Sequence, residues 1–275
     1  NERRAFFRKT SVDEATGKTI YSWYDAERKG QLIDTQTSYA LPLAFHVVDG
    51  DLQKKMAAHL AAAIKTPMAG YPAYSLLTGF IGTAWISKAL SDNGMSEEAY
   101  RLLQYEGYPS WLYPVKNGAT TIWERLNSYT VKDGFGENNS MNSFNHYSFG
   151  AVASWMYNYS LGICRDEKSP GFKHFILKPE VDPTRGVTHA EGYYDSMYGR
   201  IRSRWQYTDS GIRYEFTVPA NTTASLYLPA PAVSFISENG KPLKKASGVR
   251  YVSADKELHH LELASGSYQF DIKQK

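Results

Sequence analysis

The hydrophobic periodicity of this chain changes once, near residue 165, and that single switch limits the architectures open to it. Before the switch, apolar residues recur at helical spacing in "DTQTSYALPLAFHVV" (34–48), "DLQKKMAAHLAAAIK" (51–65), "FIGTAWISKALSDNG" (80–94), "MSEEAYRLLQYE" (95–106) and "NSFNHYSFGAVASWMYNYSLGI" (142–163). In the second of these, Leu52, Met56, Leu60 and Ile64 form one stripe opposite Lys55 and His59, as expected of a helix that covers a core on one side. In the last, Phe144, Tyr147, Ala151, Trp155 and Tyr159 line one side and Phe149, Ala153 and Tyr157 the other, which predicts an inner helix, apolar nearly all round. Asp34, Asp51 and Ser96 are expected to cap helix starts, and Gly50 and Gly94 to follow helix ends. Alternating inner and outer helices amount to a structural repeat of helical hairpins, although no sequence repeat is visible.

After the switch, segments such as "GFKHFILKPEV", "GRIRSRWQYTDSGIRYEFTVP" and "KELHHLELASGSYQFDIK" alternate apolar and polar residues and are broken by Asp-Ser-Gly, Asn-Gly and Ser-Gly turns. In "IRYEFTV", Ile212, Tyr214, Phe216 and Val218 point one way and Arg213, Glu215 and Thr217 the other. This predicts an antiparallel β-sandwich. A chain of 275 residues exceeds an average domain of about 100–200 residues, so two domains are expected, 1–165 helical and 166–275 β.

Acids and bases are interspersed and the formal net charge is only +3, so there is no electrostatic footprint for nucleic acid. No apolar run approaches the ~20 residues that span a bilayer, and "NERRAFFRKT" has no signal-peptide core. No nucleic-acid or membrane partner is therefore expected. The first residue is Asn rather than Met, and the opening reads as the middle of something, so a fragment or processed piece is expected. Cys164 is alone, which rules out an intrachain disulfide and a thiolate metal site within this sequence. The histidines show no paired ligand spacing such as HExxH.

Aromatic residues make up 14% of the chain, Tyr alone occurring 21 times. Such rings suit packed cores and also surfaces that stack on sugars. They are dense in the irregular stretch 105–147, "YEGYPSWLYPVKNGATTIWERLNSYTVKDGFGENNSMNSFNHY", and aromatics on long irregular loops point to a binding surface. Its polar groups include Glu106, Lys116, Glu124, Arg125, Asp133, Glu137, Asn145 and His146. Glu124 follows Trp123 directly. Either Arg125 neutralises it in a structural pair, or the partly desolvated carboxylate is kept as a proton acceptor. His146 is expected in the first turn of the last helix, either as a capping or core histidine or as a ligand.

"GYPSWLYPVKNGATTIWERLNSY" followed by "MNSFNHYSFGAVASWMY" resembles the C-terminal half of the catalytic domain of bacterial α-L-rhamnosidases of glycoside hydrolase family 78. "DTQTSYALPLAF" and "LLTGFIGTAWISKALSDNG" are similar to the helices that precede those motifs, and "GFKHFILKPEV" to the start of the family's C-terminal sandwich. The resemblance implies a multidomain α and β chain: the C-terminal half of an (α/α)₆ barrel followed by an antiparallel β-sandwich. It also implies an inverting enzyme that releases terminal α-L-rhamnose from glycans or glycosides. Glu124 then falls on the family's general base, His146 with Asn145 on sugar-binding positions, Trp111 and Trp123 beside the rhamnose, and Arg125 on the loop that holds the base. Leu126 stands where the family often has Trp, and the acid-bearing motif, with its Gly-Trp-Thr-Gly-Asp run, is absent from this sequence.

The expected partners are therefore a rhamnose-containing carbohydrate and the upstream half of the barrel, as a separate chain or a removed segment. No cofactor is implied. The site of action could be periplasmic, extracellular or cytoplasmic in a bacterium. Two other readings stay open: a non-catalytic carbohydrate-binding or structural piece, and an (α/α)₆ glycosidase of different sugar specificity.

Overall fold

The computed structural model describes residues 2–22, 24–136 and 140–273. The chain divides into two compact units, Asn1–Ala153 and Ser154–Lys275.

The first unit is helical. It contains α1 (Glu2–Ser11), a short hairpin of β1 (Val12–Asp13) and β2 (Lys18–Thr19), then α2 (Gln36–Ala44), α3 (Gly50–Lys65), α4 (Gly79–Asp92), α5 (Ser96–Gln104) and α6 (Leu112–Lys116). In α3 the apolar stripe is buried as its spacing demands: Met56, Leu60 and Ile64 have no exposed surface. Helix α1 was not legible in advance, because its sequence is polar and it buries no residue. Helix α2 packs against α3 and α4. The closest approach is at Gly82, where an added Cβ would lie 2.2 Å from Thr37 Oγ1 and 2.8 Å from Thr78 Cβ. Only a residue without a side chain fits there.

The helix starts differ in detail from the sequence expectation. Thr35, not Asp34, caps α2, in a reciprocal capping box with Ser38. Asp34 instead takes its hydrogen bonds from the Tyr39 hydroxyl and from Lys18 Nζ. Asp49 precedes α3, so that Asp51 lies inside the first turn and Gly50 opens the helix rather than ending one. Met95 occupies the cap position before α5, and Ser96 is its first helical residue. Gly94 does follow the end of α4, donating to Ser91 O at 3.0 Å.

The largest departure is 142–163. Residues 142–146 are irregular, and the helical part runs as a 3₁₀ turn (Tyr147–Ala151), a short α7 (Val152–Trp155) and a π turn (Met156–Ser160). Tyr147 is 86% exposed and Tyr157 43%, while Phe149, Val152 and Trp155 are buried. This is not a helix buried all round, because the changing turn geometry breaks the two stripes that a uniform α-helix would align.

The second unit continues with β3 (Ile163–Arg165), β4 (His174–Leu177), β5 (His189–Ser196), β6 (Gly199–Thr208), β7 (Gly211–Val218), β8 (Thr223–Pro229), β9 (Ile236–Glu238), β10 (Lys241–Pro242), β11 (Val249–Asp255), β12 (Leu258–Leu263) and β13 (Gly266–Lys273). One sheet has six strands in the order β10-β9-β13-β7-β6-β5, the other five in the order β11-β12-β8-β4-β3. All pairings are antiparallel except β4 with β8, which is parallel. Alternation in β7 is as expected, with Tyr214, Phe216 and Val218 buried. Trp205 Nε1 donates to Ser160 O at 2.8 Å and Ser203 Oγ to Leu161 O at 2.6 Å, so the end of the π turn is pinned to the buried side of the six-stranded sheet. Gly162 then turns the chain into β3 with φ +68°, and a Cβ there would strike Pro179 N at 2.1 Å.

Two outcomes test this packing. Gly82→Ala overfills the contact between α2 and α4 and should cost about 1–3 kcal/mol, read as a lower urea midpoint at unchanged slope. Burial raises the Asp34 carboxyl, but the Tyr39 and Lys18 hydrogen bonds outweigh it and hold the group below its ordinary value. Its contribution is therefore present above the unfolded value of about 4 and lost as pH falls through the folded value. The stability gap between wild type and Asp34→Asn should be open at pH 7 and narrow as pH falls below the ordinary carboxylate value of about 4.

Candidate active site

Residues 121–124 and 143–146 run antiparallel and are tied together without forming a regular ladder. Glu124 N donates to Ser143 O at 2.8 Å, His146 N to Ile122 O at 2.9 Å, and Thr121 Oγ1 to Phe144 O at 2.5 Å. Gly150 lets the 3₁₀ turn approach the same strip, since a Cβ there would sit 3.3 Å from Ile122 Cγ1. Glu124, Asn145 and His146, separated by some twenty residues of loop, are thereby brought to one place.

The Glu124 carboxylate is half-buried and oriented. Oε2 accepts from Ser143 N–H at 3.0 Å, whereas Oε1 accepts from no described residue. No ion pair joins Glu124 to Arg125 among the described residues. Arg125 Nη2 donates to Asn142 Oδ1 at 3.3 Å. Its charge also reaches Tyr108, whose phenol is pushed up by burial and the neighbouring Tyr71, with Arg125 opposing. The other described carboxylates of the loop are engaged. Glu106 pairs with Lys116 at 2.9 Å, and Asp133 accepts from Thr130 Oγ1 at 3.3 Å. Glu137 lies outside the described residues.

His146 sits before the 3₁₀ turn in extended conformation, φ −120° and ψ 105°, and not in a first helical turn. The reason is its backbone bond to Ile122, which holds it in the antiparallel strip. Its ring stacks on Phe80, with centroids 4.6 Å apart and planes at 20°. Nδ1 is buried and has no hydrogen-bond partner among the described residues. Asn145 is exposed, its backbone N–H donating to Ser143 Oγ at 3.2 Å.

The tryptophans lie deeper than a sugar platform would require. Trp111 is 8% exposed and its Nε1 donates to Phe149 O at 2.9 Å. Trp123 is 6% exposed, with Tyr129 and Phe144 edge-on to it. Both underpin the loop by packing. Leu126, also buried, does the same. Ser143 and Phe80 were missed by sequence reasoning, because one acts through its main chain and the other lies at the start of α4, far away in sequence.

No helix among the described residues is long and apolar enough to cross a membrane, and no cluster of His, Cys, Asp and Glu among them could hold a metal ion. An apolar cleft of about 390 Å³ between α1 and α2, lined by Phe7, Ile33 and Leu41 among others, is formed by residues remote in sequence from Glu124.

The family profile described as the bacterial alpha-L-rhamnosidase 6 hairpin glycosidase domain matches residues 4–160, and the bacterial alpha-L-rhamnosidase C-terminal domain matches residues 162–242. An alpha-L-rhamnosidase of Streptomyces avermitilis is 34% identical over 255 residues, 93% of this chain and 23% of the relative. One from Alteromonas sp. (strain LOR) is 34% identical over 241 residues, 87% of this chain and 24% of the relative. The crystal structure of the Streptomyces avermitilis alpha-L-rhamnosidase complexed with L-rhamnose superposes with a TM-score of 0.80 at 32% identity, covering 98% of this chain and 23% of that one. The alpha-L-rhamnosidase from Dictyoglumus thermophilum gives a TM-score of 0.77 at 25% identity, covering 98% of this chain and 28% of that one. The chain thus spans about a quarter of the length of the relatives it matches. With a family profile over more than half of its residues, the chain belongs to the bacterial α-L-rhamnosidases.

Proposed function

We propose that this chain is the base-bearing part of an inverting α-L-rhamnosidase, with Glu124 as general base. The observation that carries the reading is the state of that carboxylate: one oxygen is fixed by the Ser143 N–H, and among the described residues the other accepts no hydrogen bond and no cation pairs with it. Such a group can hold a water by the free oxygen and take its proton as the water attacks an anomeric carbon. In an inverting reaction the attack comes from the face opposite the departing oxygen, which a separate acid must protonate from about 6.5–9.5 Å away. The described acids of this loop, Glu106 and Asp133, are engaged by Lys116 and Thr130, and the reading assigns the acid to a further segment of the enzyme.

His146 Nδ1, buried and without a hydrogen-bond partner among the described residues, suits a hydroxyl donor from the sugar, and Asn145 adds an exposed side chain next to it in sequence. Arg125 braces the loop through Asn142. Trp111 and Trp123 act beneath the loop, at most presenting an edge to the methyl-bearing side of rhamnose. The fold that goes with this reading is half of an (α/α)₆ barrel, about 1–165, followed by a sandwich made of the two sheets, about 166–275. Exposed apolar side chains on the helical unit, Ile81 at 70% and Phe45 at 52% among them, suit coverage by further helices of the same barrel. A rhamnose-containing glycan or glycoside is the substrate; the rhamnose complex of the Streptomyces avermitilis relative supports that choice.

The test is kinetic, on an aryl α-L-rhamnoside, with the chain assembled with the acid-bearing segment. Glu124→Gln should lower kcat by about 10²–10⁴-fold, because the carboxamide keeps the shape but cannot accept the proton. Azide, which needs no base, should restore part of the rate. Wild-type turnover in the variant would remove Glu124 from the mechanism. His146→Ala should instead act on binding, raising the rhamnose dissociation constant about 5–150-fold, the equivalent of about 1–3 kcal/mol. An unchanged calorimetric titration would return His146 to a packing role.

A further inference from the structure

On the outer face of the six-stranded sheet the strand register lines up polar side chains in two adjacent rows. One row is Glu191, Arg204, Glu215 and Gln269, each the cross-strand partner of the next. The other runs through Arg202, Thr217 and Ser267. Long side chains therefore stand beside short ones. The depression over Thr217 and Ser267 is a cleft of about 360 Å³, closed at one end by Asn239 in the β9–β10 turn, which its own N–H holds to Gln269 O at 2.9 Å. The volume is at the lower end of ligand pockets, about 300–1,000 Å³.

Three features of the cleft point to what it takes. Its charges cancel: Arg202 pairs with Glu191 at 2.9 Å and Arg204 with Glu215 at 3.3 Å, so neither an anion nor a cation is favoured. Part of its hydrogen-bonding capacity is left over. Arg202, Arg204 and Gln269 Nε2 are engaged within the sheet, but Thr217 Oγ1, Ser267 Oγ, Gln269 Oε1 and Glu215 Oε1 accept or donate no bond among the described residues, and Arg204 Nε is buried with no hydrogen bond, 3.9 Å from Glu191 Oε2. It is also open, Arg202 and Glu191 being 56% and 49% exposed. Ion-paired guanidinium and carboxylate groups beside two hydroxyls, close together and electrically balanced, match vicinal hydroxyls. We propose that this cleft binds a neutral pyranose of a glycan, a second carbohydrate site lying wholly within the β unit and owing nothing to Glu124.

The experiment is an NMR titration of the full 275-residue chain with methyl α-L-rhamnoside, methyl β-D-galactoside and inorganic phosphate. Amides of 202–204, 215–217 and 267–269 should shift with at least one of the sugars and not with phosphate. Arg202→Ala should weaken that binding about tenfold, the scale of one charge-assisted hydrogen bond. Thr217→Trp, which fills the floor with a strand-favouring residue, should abolish it. If that variant misfolds, by the dispersion of its spectrum, Arg202→Ala decides alone. Shifts confined to 121–124 and 143–146 would overturn the cleft while leaving the Glu124 reading intact. Phosphate shifting the same amides, or sugar binding equally to both folded variants, would overturn it as well.

Discussion

The carboxamide of Gln36, 1% exposed, joins three parts of the helical unit that are distant in sequence. Its Nε2 donates to Ala63 O at 3.2 Å and Ser75 O at 2.8 Å, and its Oε1 accepts from Leu77 N at 2.8 Å. A buried polar side chain satisfied on both ends orders its surroundings, because any displacement strands a donor or acceptor away from water. The last turn of α3 and the segment leading into α4 are thus fixed to α2. Phe80 lies in the first turn of α4, just beyond this fixed segment, and stacks on His146, so the amide helps to place the ring on which the histidine rests.

The site itself depends on main-chain pairing between two irregular segments. Glu124 is aimed by the Ser143 N–H, and His146 by the carbonyl of Ile122. Both bonds are made by main-chain groups of Ser143 and Ile122, so neither depends on the side chain at those positions. The rigid underlay comes from Trp111, Trp123 and Leu126, all buried. An oriented carboxylate with one free oxygen is preorganised for a water, and preorganisation lowers the reorganisation needed at the moment of reaction.

How much could be read in advance varied with how local the signal was. The stripe of α3 and the alternation of β7 were legible because each depends on one period within one element. The end of the helical region was not. The 3₁₀, α and π turns of 147–160 follow from tying His146 backward to Ile122 and Ser160 forward to Trp205, contacts that no window of sequence contains. Asp34 looked like a cap because of its type and place, yet Tyr39 and Lys18 claim it. The resemblance singled out Glu124 and His146, whereas Ser143 and Phe80, which place them, carried no signal of their own. The tryptophans were conspicuous by composition, but their burial shows that a rare residue next to a site can serve as its foundation.

The parallel pairing of β4 with β8 has a consequence for how the β unit forms. Parallel neighbours cannot be joined by a tight turn, and here the intervening chain is β5, β6 and β7, all in the other sheet. The β4–β8 contact therefore closes a loop that contains the β5, β6 and β7 strands of the six-stranded sheet. The two sheets are interleaved along the chain, since β13, which pairs with β7, follows β12, which pairs with β8. Contacts of such long sequence separation slow the search for the native state.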